Sequence, residues 1–232
     1  AEVRRKHPSL GLRPDVKSQV SVEYVDGVPK RVNTVVVSAQ HSPTLTHQAI
    51  TEIVHEYIIK PVLAEYDQYV DDNIVYHINP TGVFIIGGPQ GDTGLTGRKV
   101  IVDTYGGLCP HGGGAFSGKD PTKVDRSATY MARHVAKNVV AAGLADKCQV
   151  ALAYAIGVEQ PLAVQIDTFG TSQMDEAAIS DKVRAVFDLS PAGIIEQLDL
   201  LKAQYKPTAK NGHFGNPSFP WESTESADRL KS

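Results

Sequence analysis

Two segments rich in Val, Ser and Thr open the hydrophobic pattern, Gln19 to Val25 and Val32 to Gln40, with Asp26-Gly27 and Pro29 between them. They predict two strands joined by a turn. From Thr44 to Val62 the apolar positions Ile50, Ile53, Val54, Tyr57 and Ile58 fall at helical spacing, which predicts an amphipathic helix ending near Pro61. Short apolar runs follow at Ile74 to Ile78 and Val83 to Ile86. Further on, Val124, Ala128, Met131, Val135 and Val139 line one face of a long helix, with Asp120-Pro121 as its expected start and Gly143 near its end. Strand-like runs at Gln149 to Ile156 and Ala163 to Phe169 precede helical stretches at Asp175 to Phe187 and Pro191 to Leu201. The fold class this implies is α+β, without short repeats or low-complexity segments.

Composition narrows the class. The chain has 232 residues, 41% of them hydrophobic, enough for one large or two modest domains. Its net charge of -3 mixes both signs, so no long-range field draws it to nucleic acid or to an anionic membrane. No apolar run approaches the ~18 to 20 residues of a membrane helix, and the charged opening Ala1-Glu2-Val3-Arg4-Arg5-Lys6 lacks the apolar stretch of a signal peptide. A cytoplasmic location is expected. Cys109 and Cys148 lack metal-type spacing and read as reduced thiols. The eight histidines show no metal-ligand pairing, which argues against a zinc site. The first residues read like the tail of a helix without an initiating methionine, so an upstream segment is expected.

Chemistry concentrates between Gly87 and Gly118, where glycine recurs so densely that it cannot serve as core filler. Such density marks a backbone that turns sharply or approaches a ligand closely. Between Asp92 and Asp125, Arg98, Lys99, Lys119 and Lys123 stand among these glycines and two carboxylates. Arginine grips phosphate oxygens with a fork of donors, lysine acts as a point charge, and glycine lets backbone N–H groups reach an anion. A helix beginning at Pro121 would add its positive end. The run from Gly113 to Asp120 has P-loop spacing, but Asp120 follows Lys119 where a magnesium-binding hydroxyl is required, and no hydrophobic strand leads directly into it. A P-loop phosphotransferase is therefore rejected.

Longer blocks carry a resemblance. Gly87-Gly88-Pro89-Gln90-Gly91-Asp92, Gly94-Leu95-Thr96-Gly97-Arg98-Lys99, Asp103-Thr104-Tyr105-Gly106-Gly107 and the run from His111 to Asp120 resemble the signature blocks of S-adenosylmethionine synthetases of bacterial style. Collinear similarity extends from Leu12-Arg13-Pro14-Asp15-Val16-Lys17 to Phe219-Pro220-Trp221. The resemblance implies a central domain over residues 1–86, a C-terminal domain over 87–225 and a tail over 226–232. Each domain is expected to be a mixed sheet with helices on one face, within a subunit of three such modules about a pseudo-threefold axis. It implies synthesis of S-adenosylmethionine from ATP and L-methionine, with cleavage of the bound tripolyphosphate, and Mg2+ and K+ as cofactors. A homodimer with shared active sites, often a dimer of dimers, is the implied assembly.

By the same resemblance Asp15 and Lys17 contact ATP, Phe84 packs on the adenine ring and Asp92 holds the methionine amino group. Arg98 and Lys119 are polyphosphate ligands, Lys99 and Ala115 neighbouring nucleotide contacts, Lys123 a residue at the reacting centre. Asp125 binds one magnesium, and Ile156 forms an apolar wall of the methionine pocket. Read without the resemblance, Asp15 and Asp92 also suit turns, Asp125 suits a helix dipole, and Phe84 and Ile156 suit a core. Two positions depart from the family pattern: Val83 stands where a basic residue is common, and Leu108-Cys109-Pro110 replaces a stretch containing one. The family's His-Pro-Asp motif, potassium and methionine ligands and mobile loop belong to the segment expected upstream, so a non-catalytic nucleotide- or polyphosphate-binding fragment or subunit is the alternative reading.

Overall fold

The computed structural model describes residues 1–202 and 204–231. The chain divides into two compact units, Ala1–Gly94 and Leu95–Ser232. In the first, a short helix α1 (Glu2–Lys6) precedes the strands β1 (Leu12–Val25) and β2 (Val28–His41), which pair antiparallel. Asp26 and Gly27 turn the chain with φ of 51° and 74°, both left-handed, and this two-residue Asp-Gly turn matches the twist of the strands it joins. The strands are longer than the apolar pattern foretells. β2 takes in Pro29, which pairs with Tyr24 beside an irregularity in register, where a missing N–H is tolerated. β3 (Val75–Ile78) lies parallel to β2, so the sheet is mixed, in the order β1-β2-β3.

The expected helix begins as α2 (His47–Val54), with the Thr46 hydroxyl accepting from the Ala49 N–H at 3.2 Å. It does not end at Pro61. A widened turn, His55–Ile59, leads into α3 (Lys60–Leu63), and 3-10 turns follow from Ala64 to Tyr69. Proline lacks an N–H and crowds the preceding turn, and the wider turn accommodates both defects without breaking the helix. Ile50, Val54 and Ile59 pack on Val35, Val37 and Ala39 of β2 with Ile74 and Ile78. Each fully buried aliphatic side chain contributes about 1.5 to 3 kcal/mol.

Asn79, buried and at φ 42°, ends the parallel ladder by imitating it. Its N–H bonds to the Val37 carbonyl at 2.9 Å, its side-chain oxygen accepts from the Ala39 N–H at 2.7 Å, and its amide donates to the Ala39 carbonyl at 3.0 Å.

The second unit contains α4 (Val100–Asp103), α5 (Val124–Ala141), β4 (Gln149–Ala153), β5 (Ala163–Asp167), α6 (Glu176–Val186), α7 (Pro191–Gln197) and α8 (Ala227–Lys231). The long helix starts later than expected, because Asp120 is engaged elsewhere. Its carboxylate accepts from the Thr122 N–H at 2.9 Å and from Lys123 at 2.7 Å, leaving Lys123 at the N-cap position, where its side chain does not cap the helix. At the far end Gly143, at φ 73°, bonds to Val140 and Leu144 to Val139, a left-handed cap with both of its bonds formed. The mixed sheet expected of both modules is found only in the first. Among the described residues the second has the antiparallel pair β4-β5 alone, since the glycine-rich stretch forms turns and a one-turn helix instead of further strands.

One face of α5 buries Tyr130, Met131, Val135 and Val139 against Trp221, Ile179, Ile194 and Leu198. Tyr130 stacks on Trp221 with ring centres 3.9 Å apart. The terminal segment is packed as well: Ala227 and Leu230 of α8 are buried in this core, while Ser232 lies outside the described residues. Glu222, 5% exposed, receives Arg133 through two donors at 3.1 and 3.0 Å, Lys137 at 2.8 Å and the Gly215 N–H at 2.8 Å. Burial alone would raise its carboxyl, but these donors hold it below the ordinary glutamate range.

Both buried polar groups can be tested by substitution. Asn79→Ala strands both polar atoms of the Ala39 backbone and should lower unfolding free energy by about 2 to 4 kcal/mol; an unchanged urea midpoint would refute the role given to its side chain. Glu222→Gln should cost about 3 to 5 kcal/mol at pH 7 by leaving two cations facing a neutral partner. Because the folded carboxyl is the stronger acid, its contribution is complete above the ordinary glutamate range and is lost as pH falls through its own lower value. Urea titrations at pH 7 and pH 3 should show the gap between variant and parent closing in acid, and a constant gap would contradict this.

Candidate functional site

In the first unit Asp15 joins the glycine-rich segment to the sheet. Its carboxylate accepts from the Gly88 N–H at 2.8 Å, and its own N–H donates to the Gln40 side chain at 3.3 Å. Gly87 is pressed against both: a Cβ there would lie 2.8 Å from Gln40 and 3.0 Å from Asp15, so no larger residue fits without displacement. Phe84, half-buried, is fixed through its backbone. The His41 N–H donates to its carbonyl at 2.9 Å, and its own N–H donates to His41 Nε2 at 3.2 Å. That leaves His41 Nδ1 to carry the proton toward the Ser42 carbonyl, 2.9 Å away. Asp92 is exposed, its N–H bonded to the Gly88 carbonyl at 2.9 Å, and Lys17 stands exposed on β1 opposite Ser38. The structure thus ties Asp15 of β1 to the segment that carries Phe84 and Asp92, a segment also held by Gln40 and His41, to which the sequence reading gives no role.

In the second unit the basic residues gather at the start of α5. Lys119 Nζ donates to the Asp125 carboxylate at 2.7 Å, and Lys123 Nζ to Asp120 at the same distance. The Lys123 and Thr122 bonds hold the Asp120 carboxyl well below its usual range. Gly114 lies against Asp125 so closely that a Cβ would approach its carboxyl carbon to 2.6 Å. Gly97, at φ 81°, lies against Ala115 in the same manner, with 2.7 Å between Ala115 and an added Cβ. That contact sets the turn bearing Arg98 and Lys99, both exposed, beside the loop bearing Lys119. Ile156 stands apart. It is fully exposed, which removes it from any core within this chain.

The loop from Gly112 to Lys123 buries one large side chain, Phe116, against the rings of Tyr130 and His213 at 5.3 and 5.0 Å. A line of polar atoms runs beneath it. Arg126, 5% exposed, donates Nη1 to the Lys119 carbonyl at 2.7 Å and Nε to the Tyr130 oxygen at 3.1 Å, and its guanidinium lies 4.1 Å from the Tyr205 ring centre. A guanidinium only donates, so the Tyr130 proton points to His213 Nδ1, 2.7 Å away, and Nε2 carries the imidazole proton toward Ser117 at 3.4 Å. Burial, with Arg126 nearby, lowers the His213 pKa in keeping with that neutral ring, and burial pushes the Tyr130 hydroxyl up to about 12. His111 accepts from the Gly113 N–H at 2.7 Å, and its buried Nε2 has no partner among the described residues. Arg126 escapes the sequence reading because a charge in the first turn of a helix reads as solvent-facing.

Also among the described residues, no helix is long and apolar enough to cross a membrane, and no three His, Cys, Asp or Glu side chains come together as a metal cage. Residues 1–84 match the family model "S-adenosylmethionine synthetase, central domain", and residues 86–223 match "S-adenosylmethionine synthetase, C-terminal domain". The S-adenosylmethionine synthase of Sulfurovum sp. (strain NBC37-1) is 59% identical over 233 residues, covering 100% of this chain and 60% of that protein. Those of Desulfosudis oleivorans and of a Nitratiruptor species are each 56% identical, covering 100% and 99% of this chain and 60% of their own length. The chain therefore spans about three-fifths of the length of these relatives. The C-terminal match alone takes in more than half of the residues, and with the central match preceding it the chain belongs to the S-adenosylmethionine synthetase family.

Proposed function

We propose that this chain serves the synthesis of S-adenosylmethionine from ATP and L-methionine, the phosphate chain leaving as tripolyphosphate and being cleaved to phosphate and diphosphate while bound. The observation that carries this reading is the gathering of Lys119, Lys123, Asp120 and Asp125 at the start of α5, on a glycine loop with the Arg98 turn packed beside it. In this reaction the methionine sulfur gives a lone pair to the ribose methylene carbon. The bond from that carbon to the triphosphate oxygen breaks, and the oxygen keeps the electron pair. The nucleophile is already good, so alignment of the two centres and stabilisation of the leaving anion supply most of the rate.

In this reading Arg98 and Lys119 hold the polyphosphate, with Lys99 and Ala115 beside the nucleotide and Lys123 at the reacting centre. Asp15 and Lys17 contact ATP, Phe84 stacks on adenine, and Asp92 pairs with the methionine ammonium group. Ile156, bare to solvent, would form its apolar wall in a site shared between two subunits. β1 leaves Val16, Val20, Val22 and Tyr24 exposed, which supports pairing of subunits as a homodimer or a dimer of dimers. The family's central domain is taken as residues 1–86 and its C-terminal domain as 87–225, followed by 226–232, in a cytoplasmic enzyme.

Asp125 is the carboxylate assigned to magnesium. A single carboxylate beside a phosphate site suits an ion that draws its other ligands from phosphate and water, as Mg2+ does. Bound there, it would offset the charge of the phosphates. No residue of this chain is assigned to K+.

Calorimetric titration with tripolyphosphate and magnesium tests the site. Lys119→Ala with Arg98→Ala should abolish measurable binding, since charged contacts of this kind are worth about 1.5 to 3 kcal/mol each, and should remove S-adenosylmethionine formation by an active enzyme containing the chain. Unaltered binding and turnover would rule the assignment out. Asp125→Asn should raise the magnesium concentration required for half-maximal tripolyphosphate binding; an identical magnesium titration would remove Asp125 from the metal site.

A further inference from the structure

We infer that Arg126 is a positioning residue for Lys119, its buried guanidinium fixing the main chain of that lysine so that the ammonium group meets the polyphosphate. The inference deepens, and rests on, the reading of Lys119 as a polyphosphate ligand. Lys119 is held at both ends by neighbours on the first turn of α5: its ammonium by Asp125 at 2.7 Å, its carbonyl by Arg126 at 2.7 Å. The first hold is exposed, and the second is part-buried, made by a guanidinium that is itself buried.

Taking a guanidinium out of water is costly unless its donors are satisfied. Arg126 has no ion-pair partner among the described residues, and its stabilisation comes from the Lys119 carbonyl, the Tyr130 hydroxyl and the face of Tyr205. A helix could fill this place with an apolar side chain at lower cost. What only the planar fork provides is a reach from the Tyr130 oxygen to the loop carbonyl in one rigid unit. Tyr130 is itself fixed by His213 and by its stack on Trp221, so the loop is referred to the core through Arg126.

A double-mutant cycle distinguishes positioning from general support. Tripolyphosphate with magnesium is titrated into the unsubstituted chain, Lys119→Ala, Arg126→Gln and the double variant, each first shown to be folded by thermal unfolding. Arg126→Gln should weaken binding about tenfold, the size of one charged hydrogen bond. In the Lys119→Ala background it should add less than about twofold, because the group it aims is gone. Arg126→Lys, which keeps the charge but not the fork, should stay close to Arg126→Gln. If the double variant shows the full product of the two single effects, or if Arg126→Lys restores binding, the inference is overturned. If the unsubstituted chain takes up no tripolyphosphate, or Lys119→Ala binds it undiminished, the reading of Lys119 fails first and the inference falls with it. Should Arg126→Gln not fold, Tyr130→Phe removes only the hydroxyl that orients Nε, and the same cycle with Lys119→Ala decides.

Discussion

The loop that carries the basic residues has almost nothing apolar to bury. Between Gly112 and Lys123 only Phe116 enters the core, and glycines that admit close approach also leave the backbone expensive to order. Its position must be imposed from outside, and α5 imposes it. Phe116 packs against Tyr130 from one side of the helix, Arg126 holds the Lys119 carbonyl from the first turn, and Asp125 takes the Lys119 ammonium one residue earlier. The same helix buries Met131, Val135 and Val139 in the core. Core and candidate site are thus two ends of one rigid element, and a packing defect near Trp221 would be felt at the loop.

The first unit solves a related problem with a sheet in place of a helix. Its glycine-rich segment is tied to the ends of β1 and β2 by Asp15, Gln40 and His41, each spending side-chain polar atoms on backbone groups that have no strand partner. Asn79 does the same for β2 where β3 stops. In both units, irregular backbone is held by buried side-chain amides, carboxylates, imidazoles or guanidinium groups, which fix it in one geometry because their bonding directions are few.

Much of this was legible in the residues. The Asp-Gly turn, the apolar stripe of α5 and the glycine-dense basic run each carry a local signal, and each appears where the pattern places it. The failures are equally physical. Pro61 reads as a helix end, but a widened turn absorbs it. Asp120-Pro121 has the chemistry of a helix start, yet Asp120 is engaged with Thr122 and Lys123, so the helix begins after them. Ile156 suits a core by hydropathy and is bare in this chain. Arg126 is buried through Tyr205 and Tyr130, partners that no local window of sequence brings beside it. The candidate site was readable as a set of residue types, whereas the arrangement holding them depends on contacts distant along the chain.

In the bond between Lys119 and Asp125 each charge is answered by the other. A simple anion that draws off Lys119 leaves a bare carboxylate behind, and a metal ion that takes Asp125 leaves a bare ammonium group. Only a ligand that brings both signs together, phosphate oxygens for the lysine and a cation for the aspartate, separates the pair without stranding either partner. Under the proposed function, such a latch would make a metal and a phosphate chain promote one another's binding, and by linkage the promotion would be equal in both directions.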